Sequence, residues 1–350
     1  MIAGFETSFP IIVAVSILPG TIGACAVALL GAKLGLIDSP NQRSSHKKKT
    51  PKGGGIGILA AFFLLSFLLD IPVMVWIPVL SVSLISFLFG DIMEISAKKR
   101  LLLQFIAAFM LLKSIDLGRY FENLQIIFPA IPVNMWLIVC SIFFAIYIVG
   151  SANFFNFMDG INGIAGVTGI IAFFLLAFIS FKNQDTISFF LPLGIGLSCL
   201  GFLPFNFPKA FIFMGDVGSV LLGFLFACLV VMLSRTLTDF ICYAGFLFPF
   251  YADELITMFE RIKNGQALTE AHRCHLYQVL VNEKHIAHWK VTAGYGIVQL
   301  IISLILVGIK PLGILAVLLV LLGSFFLFFI LNHWIKKNQS FGKRLFKKRI

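Results

Sequence analysis

The sequence predicts an all-α integral membrane protein, and three observations carry that prediction. Hydrophobic residues make up 59% of the chain and charged residues only 12%, with 40 Phe among 350 residues. Mean hydropathy is +0.99. Apolar runs of span length recur along nearly the whole chain, where a bilayer solvates them and a water-soluble interior could not hide them. Residues 1–334 therefore read as one polytopic membrane domain, and 335–350 as a basic cytoplasmic tail held against anionic membrane lipid.

Taken in order, the apolar runs lie at about 8–32, 54–70, 72–90, 101–117, 134–152, 163–181, 187–204, 219–234, 239–259, 291–309 and 312–334, giving about 10–11 transmembrane helices. Residues 1–10 carry no basic residue, so the N-terminus does not read as a cleavable signal. With the N-terminus outside, 22 of the 27 Lys and Arg fall on the cytoplasmic side and five outside. That bias places the C-terminus inside. It also explains the net charge of +11 without nucleic acid. The six cysteines form no CxxC pair and read as small buried hydrophobes. No internal repeat is evident, which weighs against a transporter or flippase of an anionic lipid or sugar phosphate.

The cytoplasmic connections carry the unusual chemistry. The first, 33–54, holds Arg43, His46, several lysines and the run Gly53-Gly54-Gly55. It reads either as a phosphate-cradling loop or as a solvated basic loop with a hinge. The second, 90–100, holds Asp91 at the end of a deeply apolar run. That carboxylate either positions or deprotonates a reacting group, or pairs with Lys98 or Arg100.

The third connection, 152–163, places Asn153, Asn156, Asp159 and Asn162 three apart, on one face if the segment is helical. The fourth, 205–219, repeats the pattern with Asp216 among glycines, and Phe213 is placed to stack on a base or to pack in the core. Two carboxylates on one side suit a hard cation that shares its oxygen ligands with substrate phosphates. The fifth, 260–290, holds His272, Arg273 and His275. Zinc is one reading of the two histidines and an anionic phosphate site another.

The segments DSPNQRSSHKKKTPKGGG, GDIMEISAKKRL, NFFNFMDGINGIAG, FIFMGDVGS and AHRCHLYQ span residues 38–278 in this order. In that combination the chain resembles the polyprenyl-phosphate N-acetylhexosamine-1-phosphate transferases. The AHRCHLYQ form is closer to the O-antigen initiating branch than to the peptidoglycan branch, whose loop carries adjacent histidines. The resemblance implies transfer of sugar-1-phosphate from a UDP-sugar to undecaprenyl phosphate, with release of UMP, at the bacterial inner membrane. It implies Mg²⁺, with Mn²⁺ as a substitute, held by Asp216 and completed by Asp159. Asn156 and Phe213 would hold uridine, with Asn162 beside them, and Asp91 would lie near the lipid phosphate. His272, Arg273 and His275 would meet diphosphate or sugar, and Arg43, His46 and the glycine run would close the mouth. The partners implied are the polyprenyl phosphate lipid and the UDP-sugar, and a homodimer is compatible with the reading.

Two positions depart from the pattern. The family's paired aspartates are Gly90-Asp91 here, and its DGIDG is Asp159-Gly160-Ile161-Asn162-Gly163.

Overall fold

The computed structural model describes residues 2–40, 45–46, 48–93, 96–120, 130–183, 185–267 and 273–347. Each of the predicted apolar runs is helical. α1 is Ile2–Leu30, α2 Ile56–Leu68, α3 Val73–Ser86 and α4 Ala97–Leu112. α5 is Val133–Met158, α6 Ile164–Lys182, α7 Thr186–Phe202 and α8 Asp216–Leu233. α9 is Leu237–Ala244, α10 Phe248–Lys263, α11 Leu276–Asn282, α12 His288–Ile309 and α13 Ile314–Lys347. Helices dominate because hydrocarbon offers no partner for a backbone N–H or C=O, so each span must satisfy its own.

Nine helical segments among the described residues are long and apolar enough to cross a membrane. Two of the predicted spans are shorter. α2 has 13 residues, and α4 has 16 with Lys98, Lys99 and Arg100 in its first turn. The run predicted at 239–259 is α9 and α10 joined by a 3₁₀ turn, Gly245–Leu247. Pro249 explains the break, because it lacks an N–H and its ring crowds the preceding turn. The predicted tail continues α13 as helix to Lys347. Polar caps set other ends: Asp185 accepts the Ser188 N–H at 3.0 Å, and Thr236 forms a capping box with Asp239.

α8 is the centre of the bundle. Of its residues 89% are buried, against 11% in the most apolar stretch of α13 within 314–337. α2, α3, α5 and α6 pack around α8. In lipid such packing rests on close van der Waals fit rather than on expulsion of water.

The only strands among the described residues are Ile37–Asp38 and Thr50–Pro51, paired antiparallel with Ile37 opposite Pro51 and Asp38 opposite Thr50. This clip leads the first connection back to α8. The Phe213 N–H donates to the Pro51 carbonyl (2.8 Å), the Gly54 N–H to Phe213 (2.9 Å) and the Gly55 N–H to Met214 (2.8 Å). A Cβ on Gly55 would lie 2.3 Å from the Gly218 Cα. The glycine run is thus a close backbone contact, and two of its N–H groups are spent on carbonyls of the fourth connection. A phosphate cradle from Gly54 and Gly55 is not what the fold makes of it.

Candidate active site

A polar cavity of about 290 Å³ lies where these connections meet the ends of α3, α5 and α8. Its lining includes Asp91, Asp159 and Asp216, together with His46, Asn156, Asn162 and Phe213. Side chains scattered over all five cytoplasmic connections are brought together. Arg43 and His272 lie outside the described residues.

Asp216 opens α8 and has two partners. Arg100 Nη1 donates to its Oδ2 at 2.7 Å, and Asn156 Nδ2 to its Oδ1 at 2.9 Å. Asn156 also donates to Ser219 Oγ, one turn along α8, at 2.8 Å. Asn156 therefore orients the carboxylate in this structure, whatever else it meets.

Asp91 is held differently. The end of α3 widens into a π-helical turn, Phe87–Ile92, and Asp91 is buried within it. Its oxygens accept the backbone N–H groups of Asp216 (3.1 Å) and Val217 (3.0 Å). These are orphan donors of a helix start, where a carboxylate also complements the helix dipole. Lys52 stands 3.9 Å away. Asp91 thus pairs with the start of α8, while Arg100, one of its two candidate partners from sequence, goes to Asp216. Ser83 adds a second tie from α3, donating to the Val217 carbonyl at 2.7 Å.

Asp159 follows the last residue of α5, and none of the ion pairs among the described residues involves it. Burial pushes its carboxyl up to about 7, and the carboxylates of Asp216 and Asp91 add to the rise. Asp159 and Asn162 both lie past Met158, the last helical residue, so the predicted four-residue face ends at Asn156. The Asn162 side chain donates to the Pro208 carbonyl (3.2 Å) and its N–H to His288 Nδ1 (3.3 Å). Asn153 turns instead to Gln104 Oε1, at 2.7 Å.

The mouth is aromatic. His46 meets the Phe213 ring edge-on at 4.7 Å between centroids. Asn282 donates to Ser45 Oγ at 3.0 Å, which ties α11 to the first connection.

His275 and Arg273 are not on the lining. His275 is 2% exposed and sits under α11, with Nε2 3.4 Å from Glu254 Oε2. Burial pushes its imidazole down to about 3, and the charges of Lys336 and Arg261 add to the fall. A neutral imidazole behind the wall does not meet diphosphate or sugar from where it stands. His272, the other histidine of the zinc reading, lies outside the described residues.

Several lining residues carry no mark in the sequence that singles them out: Asp38, Lys52, Asn206, Ser219, Gln278 and His288. Arg100 is likewise unmarked as a partner of Asp216. The usable signal is position, since all but His288 lie in or within a few residues of a segment that does stand out. Asn206 is an instructive case. Its Oδ1 accepts the Gly163 N–H and its Nδ2 donates to the Ile212 carbonyl, both at 2.7 Å, which staples the third connection to the fourth. Asn206→Ala is expected to leave both groups buried and unpaired, costing on the order of 2 kcal/mol. A lower thermal midpoint in detergent checks this.

Three carboxylates in one cavity at the ends of buried helices make this an integral membrane protein with a concentrated acidic site. The chain belongs to glycosyl transferase family 4, whose model matches residues 56–234. It is 27% identical over 281 residues to a "probable undecaprenyl-phosphate N-acetylglucosaminyl 1-phosphate transferase" of Bacillus subtilis, covering 76% of this chain and 75% of that one. It is 28% identical over 290 residues to a phospho-N-acetylmuramoyl-pentapeptide-transferase of Staphylococcus aureus, covering 75% and 86%.

Proposed function

We propose that the protein transfers N-acetylhexosamine-1-phosphate from a UDP-sugar to undecaprenyl phosphate, releasing UMP, as the first step of a lipid-linked O-antigen or related surface glycan. The observation that carries this reading is the convergence of Asp91, Asp159 and Asp216 in one cavity at a helix-end surface. The two relatives support it, one by a name that specifies undecaprenyl phosphate and N-acetylglucosaminyl 1-phosphate, the other by a name that specifies a phospho-sugar peptide. The basic bias of the connections supports a bacterial inner-membrane protein with its N-terminus outside and its site cytoplasmic.

An acidic cavity repels a diphosphate unless a cation intervenes. The residues fit Mg²⁺: Asp216 and Asp159 supply hard oxygens on one cavity, and burial together with the neighbouring carboxylates of Asp216 and Asp91 raises the carboxyl of Asp159. When bound, Mg²⁺ or Mn²⁺ neutralises diphosphate charge as the leaving UMP forms. The protein's own part is positioning. Asn156 and Arg100 orient Asp216, Phe213 and His46 offer an aromatic wall for uracil, and Lys52 adds positive charge beside Asp91. The attacking lipid phosphate is already anionic at neutral pH, so Asp91 can serve as an anchor without acting as a base.

An apolar cavity of about 540 Å³ between α5, α10 and α13 supports the lipid acceptor. Phe143, Tyr147, Gly150, Phe154, Phe248 and Leu255 are on its wall. Phe154 is on the same helix as Asn156 and five residues before Asp159, about 8 Å along the axis. A prenyl chain lying there would bring its phosphate toward the carboxylates.

Purified protein with undecaprenyl phosphate, Mg²⁺ and a panel of UDP-sugars tests the reading by UMP release. UMP is expected with at least one UDP-N-acetylhexosamine, lost on chelation and restored by Mg²⁺. No UMP with any donor overturns it.

A further inference from the structure

Arg100 is tied to the acidic cavity without standing on its wall. It is absent from the lining residues and reaches the site through one contact, from Nη1 to Asp216 Oδ2 at 2.7 Å. Its side chain is 34% exposed, and Asp216 is its one ion-pair partner among the described residues.

Asp216 is the carboxylate on which the divalent-cation reading rests, and both of its oxygens are engaged. Oδ1 accepts the Asn156 amide at 2.9 Å, and Oδ2 accepts Arg100. The two engagements differ in kind. Asn156 is neutral, and an oxygen that accepts one amide N–H keeps a lone pair for a hard cation. Arg100 brings a full positive charge to hydrogen-bond distance. A divalent ion on the same carboxylate would meet that charge at close range, where like charges repel strongly even in partly wet surroundings. Lys52 adds to this, standing 3.9 Å from Asp91. Asp91 has also given its oxygens to the backbone N–H groups of residues 216 and 217. Two of the lining carboxylates thus already have a cation of the chain's own. A divalent ion arriving alone adds two positive charges to paired carboxylates. One that arrives on a diphosphate brings the balancing negative charge with it.

We infer that Arg100 competes with a free divalent cation for Asp216, and that the negative charge of the nucleotide's diphosphate relieves the competition, so that cation and nucleotide enter together. Arg100 acts through Asp216 and is a positioning residue in that sense. The inference rests on the UDP-sugar and Mg²⁺ reading above and adds how the chain's own cation governs metal binding.

The test is Mn²⁺ binding to the full chain in detergent, with and without UDP, followed by the paramagnetic resonance of the free ion. Arg100→Met keeps the apolar stem and removes the charge. It is expected to bind Mn²⁺ without UDP about tenfold more tightly than wild type, a fraction of the full repulsion because both side chains are partly exposed. The tightening that UDP brings is expected to shrink by the same factor, since metal and nucleotide share one coupling free energy. Arg100→Lys keeps the charge and is expected to bind Mn²⁺ as wild type does. Asp216→Asn added to Arg100→Met is expected to abolish the gain. A purely orienting role for Arg100 predicts the opposite sign, because a loosened Asp216 is a poorer ligand. Mn²⁺ binding by Arg100→Met that is unchanged or weaker overturns the inference and leaves the UDP-sugar reading intact. A gain that survives Asp216→Asn, or one that leaves the effect of UDP untouched, overturns it as well. Failure of the wild type to bind Mn²⁺ with UDP removes both.

Discussion

Asp216→Ala is expected to lower UMP release by on the order of 10³-fold, the scale on which loss of one group aimed at developing charge is felt. The reason is geometric. Asp216 is the one carboxylate that opens the central helix, faces the cavity and is oriented from two other helices, by Arg100 and Asn156. Stability should change far less than activity. The Asp216 side chain is 26% exposed and Arg100 34%, so the guanidinium left behind can be hydrated. The start of α8 keeps its anchor, because Asp91 binds the backbone of residues 216 and 217 and not the lost side chain. A thermal midpoint close to that of wild type, alongside the loss of UMP release, is the expected pair of results. Activity that survives would remove Asp216 from the site.

The second large effect concerns Gly90, where the family pattern has a carboxylate. Gly90→Asp is expected to reduce activity roughly 100-fold, and Gly90→Ala to do nearly as much, since misplacing a catalytic group by about 1 Å costs on the order of 10²-fold. A Cβ at this position would lie 2.4 Å from Asp216 Oδ2 and 3.0 Å from its Cβ and Cγ. Asp216 is short and already fixed by Arg100 and Asn156, so it could yield only by leaving both partners. The comparison separates two ideas. If the chain merely lacked a second acid, Gly90→Asp would raise UMP release and Gly90→Ala would be neutral. If Asp216 occupies the space above Gly90, both fall. The absence of a side chain at residue 90 is then part of how this site is built.

Much of this architecture is legible in the amino-acid sequence alone. The apolar runs announce the helices, because a bilayer leaves the backbone no alternative to internal hydrogen bonding. Asp91, Asp159 and Asp216 stand out because a carboxylate beside an apolar run demands a reason. Partnership is not legible. Arg100 lies close to Asp91 in the chain yet pairs with Asp216, which is 116 residues away from it. The Gly53–Gly55 run looks like phosphate chemistry because glycine N–H groups serve either purpose, and only packing shows that Phe213 and Met214 take two of them. His275 draws attention as a functional residue type, and burial against Glu254 decides otherwise. Gln278, with an unremarkable side chain, gains its place from the helix that carries it.

The clasp of Asp91 on the first turn of α8 also has a meaning in time. Its backbone partners lie 125 and 126 residues further along the chain. At about 5–20 residues per second, a ribosome delivers them roughly 6–25 s after Asp91 itself. Through that interval a carboxylate destined to be 6% exposed lacks the two amides that satisfy it. The end of α3 must wait near water, or borrow Lys52, until α8 threads into the middle of helices made before it. The central helix therefore arrives after the helices it packs against, and the three carboxylates of the cavity come together only when it docks.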